Sequence, residues 1–303
     1  MVPYQTHLGE GAFRVGAIIP QTNRSPLKGG IRLNSCSNLL QLRWFNDACY
    51  EVKLPNGKHI LIDPYIDSSP LKKLGSDVLT QVDYILISHT HFDHVLDLKA
   101  ITQRFNCQVI VGRQSSLELA KRYDLAGHEV FPCDIGYIYH FDGFTLQGFP
   151  GKHTSIGEID RPSRWPSNVK NEGLDPSTTL LNMLGSYEYM IYLLEFPNHI
   201  RFLVWGGGAT EQAVRQAHDF RSNISIAQLP RESPHQIASL YAAIGGQVIF
   251  PHHHDSFLAK GPEGQAVIDA VVEQTNELAP STKIICPEKG KWYTFTAGIS
   301  SEE

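Results

Sequence analysis

The feature that most constrains this chain is the stretch from Tyr84 to Asp97, which reads YILISHTHFDHVLD. Its apolar, β-branched start predicts a buried strand, and a dense polar cluster follows. Side chains two residues apart on an extended chain point the same way, so His89 and His91 can address one ion. Asp93 and His94 follow where the chain turns, and can face the opposite side or a second ion. Imidazole and carboxylate ligands suit zinc, manganese or iron, so the pattern favours a metal site over a polar loop.

The composition is that of an ordinary globular chain. Its 303 residues are 42% hydrophobic and 19% charged, which is enough apolar material for a sizeable core, and no linker divides them. We therefore expect a single domain over residues 1–303. The formal net charge of -5 disfavours a nucleic-acid partner, because phosphate backbones are bound by basic surfaces.

Cysteine usage and hydropathy bear on the compartment. The five cysteines are scattered without a C-x-x-C pair, and the odd number argues against a complete disulfide framework. The N-terminus has no basic segment followed by an apolar one, and no apolar run reaches transmembrane length. We expect a cytoplasmic protein with no membrane insertion and a small-molecule substrate. The sequence leaves the oligomeric state open.

The order of predicted elements indicates an α/β fold of two sheets with helices outside them. Hairpin strands come first, joined at Pro55-Asn56-Gly57, and later strands alternate with helices. A capping box at Ser115–Glu118 predicts the start of a helix. Further strands are expected at 187–195 and 200–205, and a closing strand pair is expected from 283–285 and 292–295.

Two segments have no assigned element. Residues 1–40 form an N-terminal extension, and the sequence does not indicate its role. Residues 155–186 lose their periodicity and contain three prolines, Pro162, Pro166 and Pro176. Long irregular segments inside compact domains are usually functional or disordered. This insertion therefore either covers the site or is a plain surface loop.

Other polar residues also follow predicted strands. His153 stands in the loop FPGKHT, and this position favours a metal ligand over a solvated side chain. Asp63 ends the strand before Pro64, where it either caps a turn or holds the metal loop in place. A third histidine-rich loop, PHHHDSF over residues 251–257, follows the strand predicted at 247–250.

These separated motifs together resemble the metallo-β-lactamase superfamily of metal-dependent hydrolases over residues 42–257. HTHFDH matches the H-x-H-x-D-H signature, and LIDP and GKHTS are similar to two neighbouring motifs of the family. In the family's late motif the ligand lies two residues after the proline, which is His253 here. The resemblance implies a four-layer αββα sandwich. It also implies one ion held by His89, His91 and His153, and a second ion held by Asp93, His94 and His253.

The sequence departs from the family at a bridging carboxylate. Members usually carry Gly-Asp after the strand predicted here at 200–205, and that aspartate joins both ions. Here the segment is Trp205-Gly206-Gly207-Gly208. Without a shared anion two cations are less screened from each other, so we expect the second site to bind weakly. One ion, or two joined only by hydroxide, are the alternatives, and Gly207→Asp is expected to tighten the second site.

The resemblance implies a hydrolase that uses metal-activated water on a small ester, lactone, amide or phosphodiester. The motifs are most similar to the branch of ascorbate-phosphate lactonases and N-acylethanolamine phospholipases. Zinc is the expected cofactor, with manganese, iron or nickel as alternatives, and Asp93 is expected to orient the water as well as bind. The flanking His252, His254 and Asp255 either steady His253, protonate a leaving group or form a polar rim.

Two other functions compete with this prediction. A non-catalytic metal- or ligand-binding relative of such enzymes is consistent with the missing bridge, although six retained ligands argue against it. A nuclease-like member of the family is disfavoured, because the chain lacks the basic surface expected for a phosphate backbone.

Overall fold

The computed structural model describes residues 39–153, 176–208 and 210–296. Residues 1–38 of the N-terminal extension and most of the predicted insertion lie outside these residues. The described strands form two seven-stranded sheets. The first sheet contains, in spatial order, β14 (Trp292–Thr296), β1 (Leu39–Asn46), β2 (Cys49–Lys53), β3 (His59–Ile62), β4 (Tyr84–Leu86), β5 (Gln108–Gly112) and β6 (Val130–Cys133).

The second sheet repeats this arrangement with the later part of the chain. It contains, in spatial order, β13 (Lys283–Ile284), β12 (Val248–His252), β11 (Ile224–Gln228), β10 (Arg201–Trp205), β9 (Met190–Glu195), β8 (Phe144–Pro150) and β7 (Ile138–Phe141).

Each sheet is antiparallel on one side and parallel on the other. In the first sheet β14, β1, β2 and β3 pair antiparallel, and β3 to β6 pair parallel. In the second sheet β7 to β10 pair antiparallel, and β10 to β13 pair parallel. The carboxyl ends of β1, β3 and β4 therefore share one edge, as do those of β8, β10 and β12. Loops that follow these strands are where ligands bind in open α/β sheets.

Helices cover the outer faces of both sheets. Within the described residues, none of them has the length and apolar character needed to span a bilayer. The helices are α1 (Phe92–Val95), α2 (Leu98–Arg104), α3 (Arg113–Tyr123), α4 (Pro176–Tyr187), α5 (Glu211–Phe220), α6 (Pro234–Ile244), α7 (Asp255–Leu258) and α8 (Pro262–Leu278).

Three apolar layers hold the sheets and helices together. Between the sheets, Tyr50 of the first packs in one cluster with Tyr192 and Phe250 of the second. A second cluster joins the outer face of the first sheet to α2 and α3, and a third joins the outer face of the second sheet to α6 and α8. Burying both faces of each sheet is the main source of stability in such folds. This layering confirms the predicted αββα fold.

The structure corrects the prediction for the insertion, because residues 176–187 form helix α4 and not an irregular loop. Its sequence, PSTTLLNMLGSY, is rich in residues of low helix propensity, so the helix depends on tertiary packing. Leu181 of α4 is buried in the cluster outside the first sheet. The strand predicted from residue 187 begins instead at Met190, because Tyr187 still belongs to the helix.

The predicted closing strand pair is wrong. β13 pairs with β12 in the second sheet, whereas β14 pairs with β1 in the first. Between these strands the chain crosses from one sheet to the other, and the amide of Gly290 donates to the carbonyl of Trp44 (2.8 Å). Both strands therefore take partners that are distant in sequence, and a local pattern does not reveal such partners.

The capping box predicted at Ser115 is also absent. Helix α3 begins at Arg113, so Ser115 lies inside its first turn and is buried. The carboxylate of Glu188 accepts the backbone N–H groups of Gln114 (2.8 Å) and Ser115 (2.7 Å) instead. An acidic side chain from a distant segment thus satisfies the helix N-terminus, and its charge complements the helix dipole.

Candidate metal centre

Loops from both sheets meet at the side of the molecule where β3, β4, β8 and β12 end. The loop after β4 carries the H-x-H-x-D-H motif and turns into α1, while His153 follows β8 and His253 follows β12. Two groups of side chains result, and in each group one ligand atom per residue lies within 4.8 Å of the others. The structure thus brings together all six residues expected to bind metal. The groups are His89, His91 and His153, and Asp93, His94 and His253.

The two groups adjoin each other and both connect the sheets. The ring centroids of His89 and His94, one from each group, are 3.9 Å apart. Within the first group, the rings of His91 and His153 are 4.5 Å apart. Each group takes two ligands from the loop after β4 and one from a loop of the second sheet. A cation in either group would therefore contact both sheets.

Asp63 and Ser88 fix the tautomers of two histidines. The buried carboxylate of Asp63 accepts both the amide (2.7 Å) and the hydroxyl (2.6 Å) of Ser88. Because the hydroxyl proton points to Asp63, Ser88 Oγ accepts a hydrogen bond from Nδ1 of His89 (3.0 Å). Nδ1 of His94 donates directly to Asp63 (2.8 Å). Assigned from this network, Nδ1 of both rings carries a proton, which leaves Nε2 of each ring as the ligand atom.

Helix α4 fixes the tautomer of His91 in the same manner. The Ser186 hydroxyl donates to the carbonyl of Asn182 (3.1 Å), so its oxygen accepts from Nε2 of His91 (2.7 Å). Nδ1 of His91 is then the free ligand atom. The Asn182 side chain also accepts the amide of Phe92 (3.0 Å), and the Thr90 hydroxyl donates to the carbonyl of Leu181 (2.7 Å). The helix therefore holds the metal loop along several residues.

Burial keeps the histidines of the first group neutral. It lowers the pKa of His91 to about 3 and that of His153 to about 4, and the charges of neighbouring histidines act in the same direction. Burial and the adjoining His94 also hold the pKa of His89 well below its usual value. A neutral imidazole has the free lone pair that a metal ligand needs. This donor set therefore fits a divalent ion.

The second group combines an anion with a basic imidazole. Burial disfavours charge on His94, but Asp63 and Asp93 outweigh it and raise the pKa of this histidine. Burial likewise opposes charge on Asp93, yet His94 and His253 lower its pKa. Nε2 of His94 lies 3.9 Å from a carboxylate oxygen of Asp93. A carboxylate and two imidazoles also fit a divalent ion.

Residues around His253 adopt costly backbone conformations. Asp47, Asp63 and His253 have φ values of 45°, 45° and 57°, in the left-handed region that side chains usually avoid. The His253 amide donates to the carbonyl of Asp47 (3.0 Å), and its Nδ1 lies 3.6 Å from the Asp47 carboxylate. Asp255 in turn accepts the Asp47 amide (3.0 Å) and the Lys289 ammonium (3.0 Å). Asp255 thus acts on His253 through Asp47.

His252 and His254 are 2% and 0% exposed, so neither forms a polar rim. Nε2 of His252 lies 3.0 Å from the carbonyl oxygen of Trp205. The ring of His254 packs on Trp44 with 4.1 Å between centroids. Burial lowers the pKa of both histidines, that of His254 to about 4. A buried neutral imidazole is a poor proton donor to a leaving group, so their contacts support the loop that carries His253.

Tyr189 packs against Gly206 and Gly207, the segment in which the family resemblance leads us to expect a bridging carboxylate. A Cβ placed on Gly207 would lie 2.9 Å from Cζ of Tyr189 and 2.8 Å from the carbonyl oxygen of Lys152. A Cβ placed on Gly206 would overlap the Tyr189 hydroxyl. The expectation that Gly207→Asp alone restores the bridge is therefore corrected, because the aspartate has no room beside this ring.

Sequence reasoning missed four residues that contact the ligands or their surroundings: Asp47, Ser88, Ser186 and Tyr189. Ser88 directly precedes the first histidine, and Asp47 follows β1 at the same edge as Asp63, so position at a strand end was a usable signal for both. Ser186 and Tyr189 carry no local signal, because their contacts arise from the packing of a distant segment against the metal loop.

Two sheets enclosed by helices, with paired histidine-rich ligand groups at one edge, define the metallo-hydrolase class of αββα folds. The family model of the metallo-beta-lactamase superfamily matches residues 42–158, so this part of the chain resembles that superfamily. The match begins in β1 and ends beyond His153. It therefore includes the whole first ligand group and the strand-end Asp63.

Relatives and solved structures agree with this assignment. A UPF0173 metal-dependent hydrolase of Thermoplasma volcanium is 22% identical over 222 residues, which cover 70% of this chain and 96% of the relative. One of Christiangramia forsetii is 34% identical over 98 residues, covering 32% of this chain and less than half (42%) of the relative. The solved structure of Igni18, described as a novel metallo hydrolase from Ignicoccus hospitalis, has a TM-score of 0.63 at 17% identity and covers 85% of this chain and 98% of that protein. The two UPF0173 relatives confirm the predicted enzyme class, a metal-dependent hydrolase, and Igni18 shows the same fold.

Proposed function

We propose that the chain uses metal-activated water to hydrolyse a small ester, lactone, amide or phosphodiester. The proposal rests on the two adjoining ligand groups at one edge of the sheets. A divalent ion bound there lowers the pKa of its water and polarises the oxygen of the scissile group. Zinc is the proposed ion, because a set of three neutral imidazoles is a common zinc site. The same residues also accept manganese, iron or nickel.

The side chains have separate roles in this proposal. His89, His91 and His153 would hold the first ion, and Asp93, His94 and His253 the second. The Asp93 side chain is 28% exposed, so one carboxylate oxygen can bind while the other orients the attacking water. Asp63 keeps the ring of His94 oriented through its hydrogen bond to Nδ1. No side chain is required as a nucleophile.

Elemental analysis and turnover test the proposal together. Protein purified without chelator should contain at least one transition metal per chain and hydrolyse some member of a panel of lactones and bis-aryl phosphodiesters. His91→Ala should lose at least one ion and all turnover. The matched variant His140→Ala, an exposed histidine of β7, should retain both. Metal-free wild-type protein would contradict the proposal.

A second experiment checks which histidine of the late loop binds metal. His252 lies on β12 and contacts the carbonyl of Trp205, so His252→Ala should lower stability but keep the metal content. His253→Ala should lose the ion of the second group. The reverse result would move the proposed ligand by one residue.

The missing bridging carboxylate favours one alternative, a non-catalytic metal-binding relative of these enzymes. Metal-loaded protein that turns over no member of the panel would support it. We also propose a cytoplasmic location, because Cys49, Cys107, Cys133 and Cys286 are free thiols in the described part of the chain.

A further inference from the structure

Tyr189 and Tyr192 differ in the hydrogen bonding of their hydroxyl groups. The Tyr192 hydroxyl is buried and donates to the carbonyl of Ile87 (2.8 Å). The Tyr189 hydroxyl is also buried, but it has no hydrogen-bond partner among the described residues. A buried hydroxyl without a partner destabilises the fold, because it has lost its hydrogen bonds to water. A tyrosine with only a packing role would be better replaced by phenylalanine, so the Tyr189 hydroxyl calls for a ligand.

The ring of Tyr189 lies against the first ligand group. Its centroid is 4.7 Å from that of His89 and 6.1 Å from that of His153. The segment around it is held rigidly, because the carbonyl of Tyr189 accepts the amide of Gly151 (2.7 Å) and the amide of Met190 donates to the carbonyl of Ser88 (2.9 Å). The ring thus lies between the loop after β4 and the loop that carries His153.

Two glycines make room for this ring. A Cβ on Gly206 would overlap the hydroxyl and would lie 3.5 Å from Ser88 Oγ, which places the phenol oxygen beside the hydrogen bonds of Ser88. A Cβ on Gly207 would press on Cζ of Tyr189 at 2.9 Å. The phenol and a side chain at 207 therefore exclude each other. The six residues of the two ligand groups contain one carboxylate, that of Asp93.

We propose that Tyr189 is a functional residue of the metal centre, in which it replaces the shared carboxylate with a hydroxyl. The inference rests on the proposed function, since it requires a bound ion. Its ring prevents a carboxylate at position 207, and its hydroxyl supplies a hydrogen bond to a group held by the ion. The chain therefore binds its second ion without a shared protein anion.

The hydroxyl is tested by comparing Tyr189→Phe with Tyr192→Phe in cobalt-substituted protein. Tyr189→Phe should change the visible absorption spectrum of the bound cobalt and should leave the stability of the metal-free protein equal or higher, because no hydrogen bond is lost. Tyr192→Phe should leave the spectrum unchanged and should lower the stability, since it leaves a buried carbonyl unpaired. If Tyr189→Phe lowers stability as Tyr192→Phe does and the spectrum stays unchanged, Tyr189 is only a core residue.

The steric part is tested by cobalt titration of two variants. Gly207→Asp alone should leave the second ion at its wild-type affinity or weaker. Tyr189→Ala combined with Gly207→Asp should bind the second ion more tightly than Gly207→Asp alone, because the ring no longer blocks the carboxylate and only the Lys152 carbonyl remains close. Tightening by Gly207→Asp alone would overturn this part. Wild-type protein that binds no cobalt would overturn the proposed function as well, whereas bound cobalt with an unchanged Tyr189→Phe spectrum overturns the assignment of Tyr189 alone.

Discussion

A proton on His94 competes with a cation for the second ligand group. Burial lowers its pKa, but Asp63 and Asp93 outweigh this and raise it above the usual value. The fold thus favours the protonated ring, so this contribution to stability is present below about pH 6.5 and is lost as the pH rises through the raised pKa. A cation must displace that proton, and its affinity therefore increases with pH over the same range.

This leads to a prediction that separates the two ligand groups. As the pH rises toward the raised pKa of His94, affinity at the second group should increase by at most about tenfold per pH unit, whereas affinity at the first group should change less. The first group is less sensitive because the pKa values of His91 and His153 are about 3 and 4. Calorimetry in buffers of different ionisation enthalpy should detect more protons released by the weaker ion than by the tighter one.

Asp63→Asn is the comparison for this measurement. It removes a charge that raises the pKa of His94, so the pH dependence of the second group should move to lower pH. Equal proton release at both groups would contradict the assignment of protonation states.

The sequence predicted the residues that lie in one local motif, and it missed residues whose contacts arise from the packing of distant segments. The ligands after β4 follow from spacing and the family resemblance, and the structure brings them together. In the run His252 to His254, periodicity alone does not select a ligand. The structure separates them, because the outer two are buried while His253 turns to Asp47. Tyr189 could be recognised only after the glycines opposite it were known.

Helix α4 is the element that connects the predicted insertion to the metal centre. Gly185 allows a close approach, since a Cβ there would lie 2.8 Å from the backbone nitrogens of both Thr90 and His91. The oxygen of the next residue, Ser186, accepts a hydrogen bond from Nε2 of His91. Helix α4 has a low helix propensity of its own, and its contacts with the metal loop therefore stabilise it. For this reason the sequence, which predicts most strands and helices nearby, did not predict this helix.

Ser186→Ala should lower the affinity for the first ion by about 10- to 100-fold, because the ring of His91 loses the acceptor that fixes its tautomer. Metal affinity by competition with a chromophoric chelator measures this loss. Met183→Ala on the same helix is the matched control, since Met183 is 43% exposed and its truncation should leave affinity unchanged. Equal affinity of Ser186→Ala and wild-type protein would show that His91 is oriented without the helix.

The proposed metal centre would join the two sheets, which share one apolar core. Each ligand group takes two side chains from the first sheet's loop and one from the second sheet, His153 or His253. The unfolded chain does not hold these side chains together, so an ion binds the folded state preferentially. Free ion at about 100 times its dissociation constant then stabilises the fold by about 2.7 kcal/mol.

Removal of metal should therefore lower the melting temperature of the wild-type protein by about 5–10 °C, measured by calorimetry with and without chelator. His153→Ala removes the second sheet's ligand from the first group, so chelator should change its melting temperature much less. His140→Ala, which is exposed on β7 at the edge of the second sheet, should respond to chelator like the wild-type protein. A wild-type melting temperature that stays constant while elemental analysis shows complete metal loss would mean that the ion does not join the two sheets.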